Sequence, residues 1–293
     1  MKTEIKFVDG KYVGYIDGKQ VVKSTSKYYV QRKIESTPAP AFASDTTSSA
    51  TEFDINQRFG FVTDLVSMVA AGATASTVIT GEGGLGKTYT VIQALKAAGL
   101  KDISDVEVGV VVPPKSTYRV VKGFSTPKGL YRILFENQNS IIVFDDCDSV
   151  LKNDDACNIL KGALDSFDKR IITWNSSRDE EDLPRFFQFK GGIVFISNMP
   201  MGKIEQSIRS RAMCVDLEMT TEQKVQRMEV IMKSPDFLPD VRESVKFAAL
   251  NLVSELKDRS KEVSLRTLIK TARIANTGNP NWKSLAEYML MQG

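Results

Sequence analysis

The stretch Ser76-Thr-Val-Ile-Thr80-Gly81-Glu82-Gly83-Gly84-Leu85-Gly86-Lys87-Thr88 decides the reading of this chain. A short apolar strand pattern runs into the full motif G-x-x-x-x-G-K-[ST], and a helical pattern follows over residues 88–98. That context is the one the motif's chemistry requires. Glycines let successive backbone N–H groups curl around phosphates, and the start of a helix adds positive potential. Lys87 then reaches the β- and γ-phosphates, and the Thr88 hydroxyl can ligate Mg²⁺. Gly81, Glu82, Gly83, Gly84, Leu85, Gly86, Lys87 and Thr88 are therefore the candidate phosphate-binding residues, and ATP with Mg²⁺ is the expected ligand.

Downstream, Ile141-Ile-Val-Phe-Asp145-Asp146 is a second buried-strand pattern, and it ends in two acids. Its distance from the phosphate loop suits a Walker B strand. Asp145 would hold the metal's ligand shell, and Asp146 would orient or deprotonate an attacking water. Asp148, Asp154 and Asp155 read as helix-start and surface acids.

Around these motifs strand and helix patterns alternate. Strands are expected over residues 76–80, 106–112, 118–121, 140–144, 192–197 and 213–217, with helices over 59–71, 88–98, 126–138 and 155–167. Such alternation predicts an α/β core with a mainly parallel sheet covered on both faces. After residue 217 only helical patterns remain, over 221–233, 241–259, 264–276 and 282–291, which predicts a small helical lid. Ahead of the core, residues 7–22 alternate β-prone runs with Asp9-Gly10 and Asp17-Gly18, dipeptides suited to tight hairpin turns. Residues 24–34 read as a basic helix bearing aromatics. The expected domains are a small β-rich, ββα-like unit over 1–35, a Ser/Thr/Ala/Pro-rich linker over 36–51, an ATPase core over 52–217 and the lid over 218–293.

Composition narrows the chemistry. The 293 residues are 42% apolar and 26% charged, ordinary for globular domains. There is no histidine, which excludes His triads, His metal sites and imidazole acid–base steps within one chain. Cys147, Cys157 and Cys214 form no CxxC pair and read as reduced packing residues. No signal-peptide pattern opens the sequence, and the uncharged run 65–81 is broken by Ser, Thr and Gly, so a cytoplasmic protein with no membrane span is expected. The formal charge of +3 is carried by residues 1–50, where eight Lys/Arg meet five acids.

Taken in order, these motifs resemble the AAA+ ATPase superfamily over residues 53–293. Three further positions carry the resemblance. Gly191-Gly-Ile-Val-Phe-Ile-Ser-Asn198 is similar to the sensor 1 strand, which implies a water-positioning role for Asn198. Ser207-Ile-Arg-Ser-Arg-Ala212 resembles the arginine-finger region, with Arg209 or Arg211 reaching a neighbouring subunit's ATP. Ser264-Leu-Arg266 resembles the start of the sensor 2 helix, where Arg266 would contact phosphates in its own subunit. The resemblance implies an Mg²⁺-dependent ATPase that assembles into a homo-oligomeric, hexamer-like ring. Within the superfamily the chain is most similar to poorly characterised ATPases of tailed bacteriophages, which implies the host cytoplasm if it is phage-encoded.

The substrate stays open at this level. A basic N-terminal unit with Tyr12, Tyr15, Tyr28 and Tyr29 suits nucleic acid, and it faintly resembles the arm-type DNA-binding modules of phage integrases. The same unit serves equally as a hairpin that docks on the ring or on a protein partner. The segment Lys122-Gly-Phe124-Ser-Thr-Pro127 is either a pore-lining grip or a helix start capped by Ser125 or Thr126. Residues 170–175 and 178–182 read as a second pore-facing insertion or as a solvated loop over Trp174. A motor acting on nucleic acid or a replication complex, a protein remodeller and a slowly hydrolysing scaffold all fit. Asp at position 146, where many relatives carry Glu, keeps the third in play.

Overall fold

The computed structural model describes residues 3–8, 10–16, 19–25, 27, 30, 53–107, 109–123, 126–165, 169–174 and 183–292. The chain forms two compact units, residues 1–52 and 53–293.

In the first unit β1 (Thr3–Val8), β2 (Lys11–Ile16) and β3 (Lys19–Ser24) form an antiparallel sheet in the order β1-β2-β3. The expected meander is present with three strands. Alternation places Ile5, Tyr12 and Val22 against Val30. The turn residues Asp9, Asp17 and Gly18, Tyr28 and Tyr29, most of the 24–34 helix and the 36–51 linker lie outside the described residues.

The second unit begins with α1 (Ile55–Ala71), whose Asp54 N-cap forms a capping box with Gln57. It is followed by β4 (Ser76–Thr80), α2 (Lys87–Ala97), β5 (Lys101–Asp102) and β6 (Thr117–Lys122). Next come α3 (Pro127–Glu136), β7 (Ile141–Asp145), the one-turn α4 (Asp148–Leu151) and α5 (Asp154–Leu164). A hairpin of β8 (Arg170–Thr173) and β9 (Phe186–Phe189) precedes β10 (Gly192–Ile196), the one-turn α6 (Gln206–Arg209) and β11 (Met213–Asp216). Four helices close the chain: α7 (Thr221–Met232), α8 (Glu243–Glu255), α9 (Leu265–Asn276) and α10 (Trp282–Gln292).

Six strands form one parallel sheet in the order β11-β4-β10-β7-β6-β5. Because side chains alternate along a strand, each central strand feeds two cores. Ile79, Ile141, Val143, Val194 and Ile196 pack with α1, α2 and the C-terminal helices. Val78, Ile142, Phe144, Ile193 and Phe195 pack with α3 and α5 on the opposite face. The strands are buried on both faces, which is why they read as unbroken apolar runs.

Two expectations fail here. The described residues of 106–112 form no strand: Val111 is 88% exposed, and the β-branched run is broken by Gly109 and followed by Pro113-Pro114. The sheet edge there is only the two-residue β5. Cys214 is not a packing residue, since it is exposed on β11, whereas Cys147 and Cys157 are buried.

Close packing at the start of β10 sets a sharp steric limit. A Cβ on Gly191 would stand 1.9 Å from the Ser140 carbonyl oxygen, which is backbone and cannot swing away. Gly191→Ala is expected to cost more than about 2 kcal/mol through forced backbone movement. Urea denaturation of both proteins checks this, and an unchanged midpoint would contradict it.

Candidate functional site

The phosphate loop lies at the C-terminal end of β4, flanked on the sheet by β10 and β11. Its conformation depends on glycine at two places. Gly81 has φ +133° and sits so close to Leu217 that a Cβ would be 2.9 Å from its backbone carbonyl. Gly84 has φ +78°, and a Cβ there would press on Ser264 at 3.2 Å.

Lys87, the first residue of α2, is buried. Its Nζ donates to the Gly81 carbonyl, to the Glu82 carbonyl at 2.6 Å and to Asn198 Oδ1 at 2.9 Å. Burial pulls its pKa down to about 8, against the opposing pull of Asp146, Asp145 and Asp148. An ammonium only donates, so Asn198 must face it with Oδ1. That leaves Asn198 Nδ2 to donate to Asp146 Oδ1.

The two acids behave differently. Asp145 is buried at the end of β7 and accepts from Thr88 Oγ1 at 2.8 Å. Asp146 is exposed and holds φ +57°, a left-handed conformation uncommon for a residue with a Cβ. Strained backbone of this kind concentrates at functional sites. Asp148 is more than a surface acid, because it accepts from Ser197 Oγ at 2.6 Å and so ties α4 to the end of β10.

The C-terminal helices reach the loop directly. Ser264 caps α9 in a capping box with Thr267, and the next N–H, of Leu265, donates to the Gly84 carbonyl at 2.8 Å. This fixes Arg266 at the rim of a cavity of about 180 Å³ lined also by Gly83, Lys87, Asp145, Asp146 and Asn198. A larger, mostly apolar cavity of about 660 Å³ adjoins it through Gly86, Tyr89 and Leu265, between α2, α7 and α9. Arg209 and Arg211 are exposed and line neither cavity. Arg211 donates to the Ser207 carbonyl at 2.9 Å.

Several contacts were not read from the sequence. Lys122, at the end of β6, forms an ion pair with Asp145 at 3.1 Å. Lys224 of α7 pairs with Glu82. Buried Arg58 donates to the carbonyls of Asp216 and Glu218 at 3.2 and 2.8 Å and to Gln223. Only Arg58 left a trace in the sequence, as a cation on the apolar stripe Ile55, Phe59, Val62, Val66. Trp174 is half-buried against Tyr131, ring centroids 5.8 Å apart. Phe124, Ser125, Asn175 and residues 178–182 lie outside the described residues.

The donor set fits the expected ligands. Thr88 and Asp145 bring two oxygen donors side by side, as a hard divalent cation such as Mg²⁺ requires. Lys87, Arg266 and loop N–H groups supply the positive side of a phosphate site. The strand bearing the loop lies two places from the acid-ended strand, with the Asn-ended strand between them. The fold is a three-layer α/β arrangement with a parallel sheet and C-terminal helices, the order of elements that the resemblance to AAA+ ATPases implies.

No family model matches the chain. An uncharacterised 36.7 kDa protein from the nrdC–mobD intergenic region of Enterobacteria phage T4 is 29% identical over 250 residues, 79% of this chain and 73% of that protein. The expected likeness to phage proteins is thus present. Among solved structures, the chain is similar to the Aeropyrum pernix ORC1 protein in complex with DNA, at 15% identity and a TM-score of 0.45 over 80% of this chain. It is also similar to Drosophila ORC bound to DNA, at 14% identity and a TM-score of 0.43 over 79%. It spans 64% and 59% of those two chains, less than two thirds of each.

Lys122 would compete with a cation for Asp145, to which it is paired. Its side chain is 66% exposed, so the pair is worth at most ~1 kcal/mol. Lys122→Ala is expected to lower the Mg²⁺ concentration for half-maximal ATP-analogue binding by about two- to fivefold. A magnesium titration reads this, and an unchanged or raised value would show that the pair does not oppose the metal.

Proposed function

We propose that this chain binds ATP with Mg²⁺ at Gly81–Thr88 and hydrolyses it as an oligomer that remodels nucleic acid or a replication complex. One observation carries the enzymatic part. Lys87, Thr88, Asp145, Asp146, Asn198 and Arg266 come from four separated segments and converge on one cavity.

Each residue's task follows from its position. Lys87 and the loop N–H groups hold the phosphate chain, while the adjoining apolar cavity takes the base. Thr88 and Asp145 hold Mg²⁺, which screens phosphate charge and fixes the oxygens in place. Asp146 accepts a proton from, or orients, a water that Asn198 also positions. Arg266 adds positive charge from the lid side and carries any change in the phosphates to α9. The exposed Arg209 and Arg211 are free to reach a second copy, Arg211 being the better placed by spacing. Charge from a neighbour at the terminal phosphate is worth ~10³-fold or more in rate in other nucleotide hydrolases.

The nucleic-acid part rests on the first unit, whose strands expose Lys6, Lys11 and Lys23, with Lys6 5.6 Å over the Tyr15 ring. A scaffold that turns ATP over slowly is favoured by one observation: the Asp146 carboxylate is short and already engaged by Asn198.

ATP turnover by the full chain, with and without duplex DNA, single-stranded DNA, RNA and an unfolded protein, separates these readings. We expect nucleic acid to stimulate turnover, and Asp146→Ala to reduce it by about 100-fold or more with ATP binding retained. Arg211→Ala should bind ATP and assemble normally but lose turnover. Stimulation by unfolded protein alone would overturn the nucleic-acid reading, and turnover too slow to respond to Asp146→Ala would leave the scaffold.

A further inference from the structure

The phosphate loop, Asp145 and Asn198 all sit at the C-terminal ends of the parallel strands. At the opposite ends lies a cavity of about 700 Å³. The residues just ahead of β4, β6, β10 and β11 line it, together with the start of β8. It gathers four cations, Lys115, Arg170, Lys190 and Arg211, against a single acid among its described lining residues, Asp165.

Two of the cations have structural duties. Arg170 is buried, donates to the Ala163 and Gly191 carbonyls at 2.8 and 2.5 Å, and lies 5.0 Å over the Phe189 ring. It braces the β8–β9 hairpin. Lys115 is half-buried, with its ammonium over Gly72 at the C-terminal end of α1, where the helix dipole is negative. Burial and the nearby Arg170 charge push its pKa down. Lys190 and Arg211 are exposed, and among the described residues neither they nor Lys115 has a carboxylate partner.

Like charges sharing a cavity raise one another's cost, and an anion relieves it. Three separate segments supply cationic donors to one volume. A phosphate group, with three oxygens and up to two charges, uses such a set more fully than a carboxylate with two. The volume falls within the range of small-molecule sites.

We propose that this cavity is a second phosphate-binding site, distinct from Gly81–Thr88, in which Lys115, Lys190 and Arg211 take a phosphate group. The group comes either from a free phosphate-bearing molecule or from the nucleotide held by a second copy of the chain. The latter source rests on the oligomeric ATPase reading given above. In it Lys190 acts beside Arg211 on the neighbour's phosphates.

The test uses the full chain and tripolyphosphate as probe. Lys87→Ala disables the phosphate loop, and calorimetric titration of this variant reads the second site alone. Binding that falls tenfold or more on adding Lys190→Glu, but not on adding Lys283→Glu as a charge-matched surface control, supports the free source. If Lys87→Ala does not bind the probe, Lys190→Glu in the otherwise natural chain should cut ATP turnover tenfold or more. ATP binding should stay unchanged and Lys190→Arg should restore part of the rate, which supports the neighbour's nucleotide. Equal loss with Lys283→Glu, or no effect of Lys190→Glu in either assay, overturns the proposal. Should the natural chain itself not turn ATP over, the ATPase reading fails separately, and absence of tripolyphosphate binding then overturns this one.

Discussion

The second unit is organised around a buried ammonium. Lys87 is 5% exposed, and taking a charged group out of water costs several kcal/mol after relaxation. That cost is offset by charge-assisted hydrogen bonds of ~1.5–3 kcal/mol each, to Gly81, Glu82 and Asn198. Two of these partners belong to the loop itself, so the loop must curl back over its own lysine. The third belongs to the end of β10, so the strand beside β4 must end in register with it. Gly81 at φ +133° and the Asn198–Asp146 contact both follow from this requirement.

The same arrangement explains why the helices after β11 are part of the site. Leu265 donates to Gly84, Ser264 occupies the space that a Cβ on Gly84 would need, and Lys224 pairs with Glu82. Arg58 fastens α1 to the chain between β11 and α7 through two carbonyls and Gln223. A change at the loop therefore has a short physical route to α7 and α9. Under the ATPase reading proposed above, that route would link the loop to movement of the C-terminal helices.

Much of this was legible in the sequence because its signals are local. Strand 76–80 and helix 88–98 were found to within a residue at each end, since a doubly buried strand and a phosphate motif constrain every position. The β8–β9 hairpin was not found. Each strand has only four residues, and Arg170, a cation, occupies a buried position of β8 because two carbonyls and a ring satisfy it. Residues 106–112 misled in the opposite way, being β-branched without a neighbouring strand to pair with. Lys122 on Asp145 and Lys224 on Glu82 had no sequence signature, because each joins segments that only the sheet order and the lid bring together.

The nucleotide site proposed for this chain is built around Lys87. Equilibrium binding of a fluorescent ATP analogue with Mg²⁺, by the natural chain and by Lys87→Ala, tests it most directly. Saturable binding by the natural chain and a loss of about 100-fold or more in the variant are expected, the scale set by removing a buried charge pair from the ligand. Equal binding by a folded Lys87→Ala protein would contradict it.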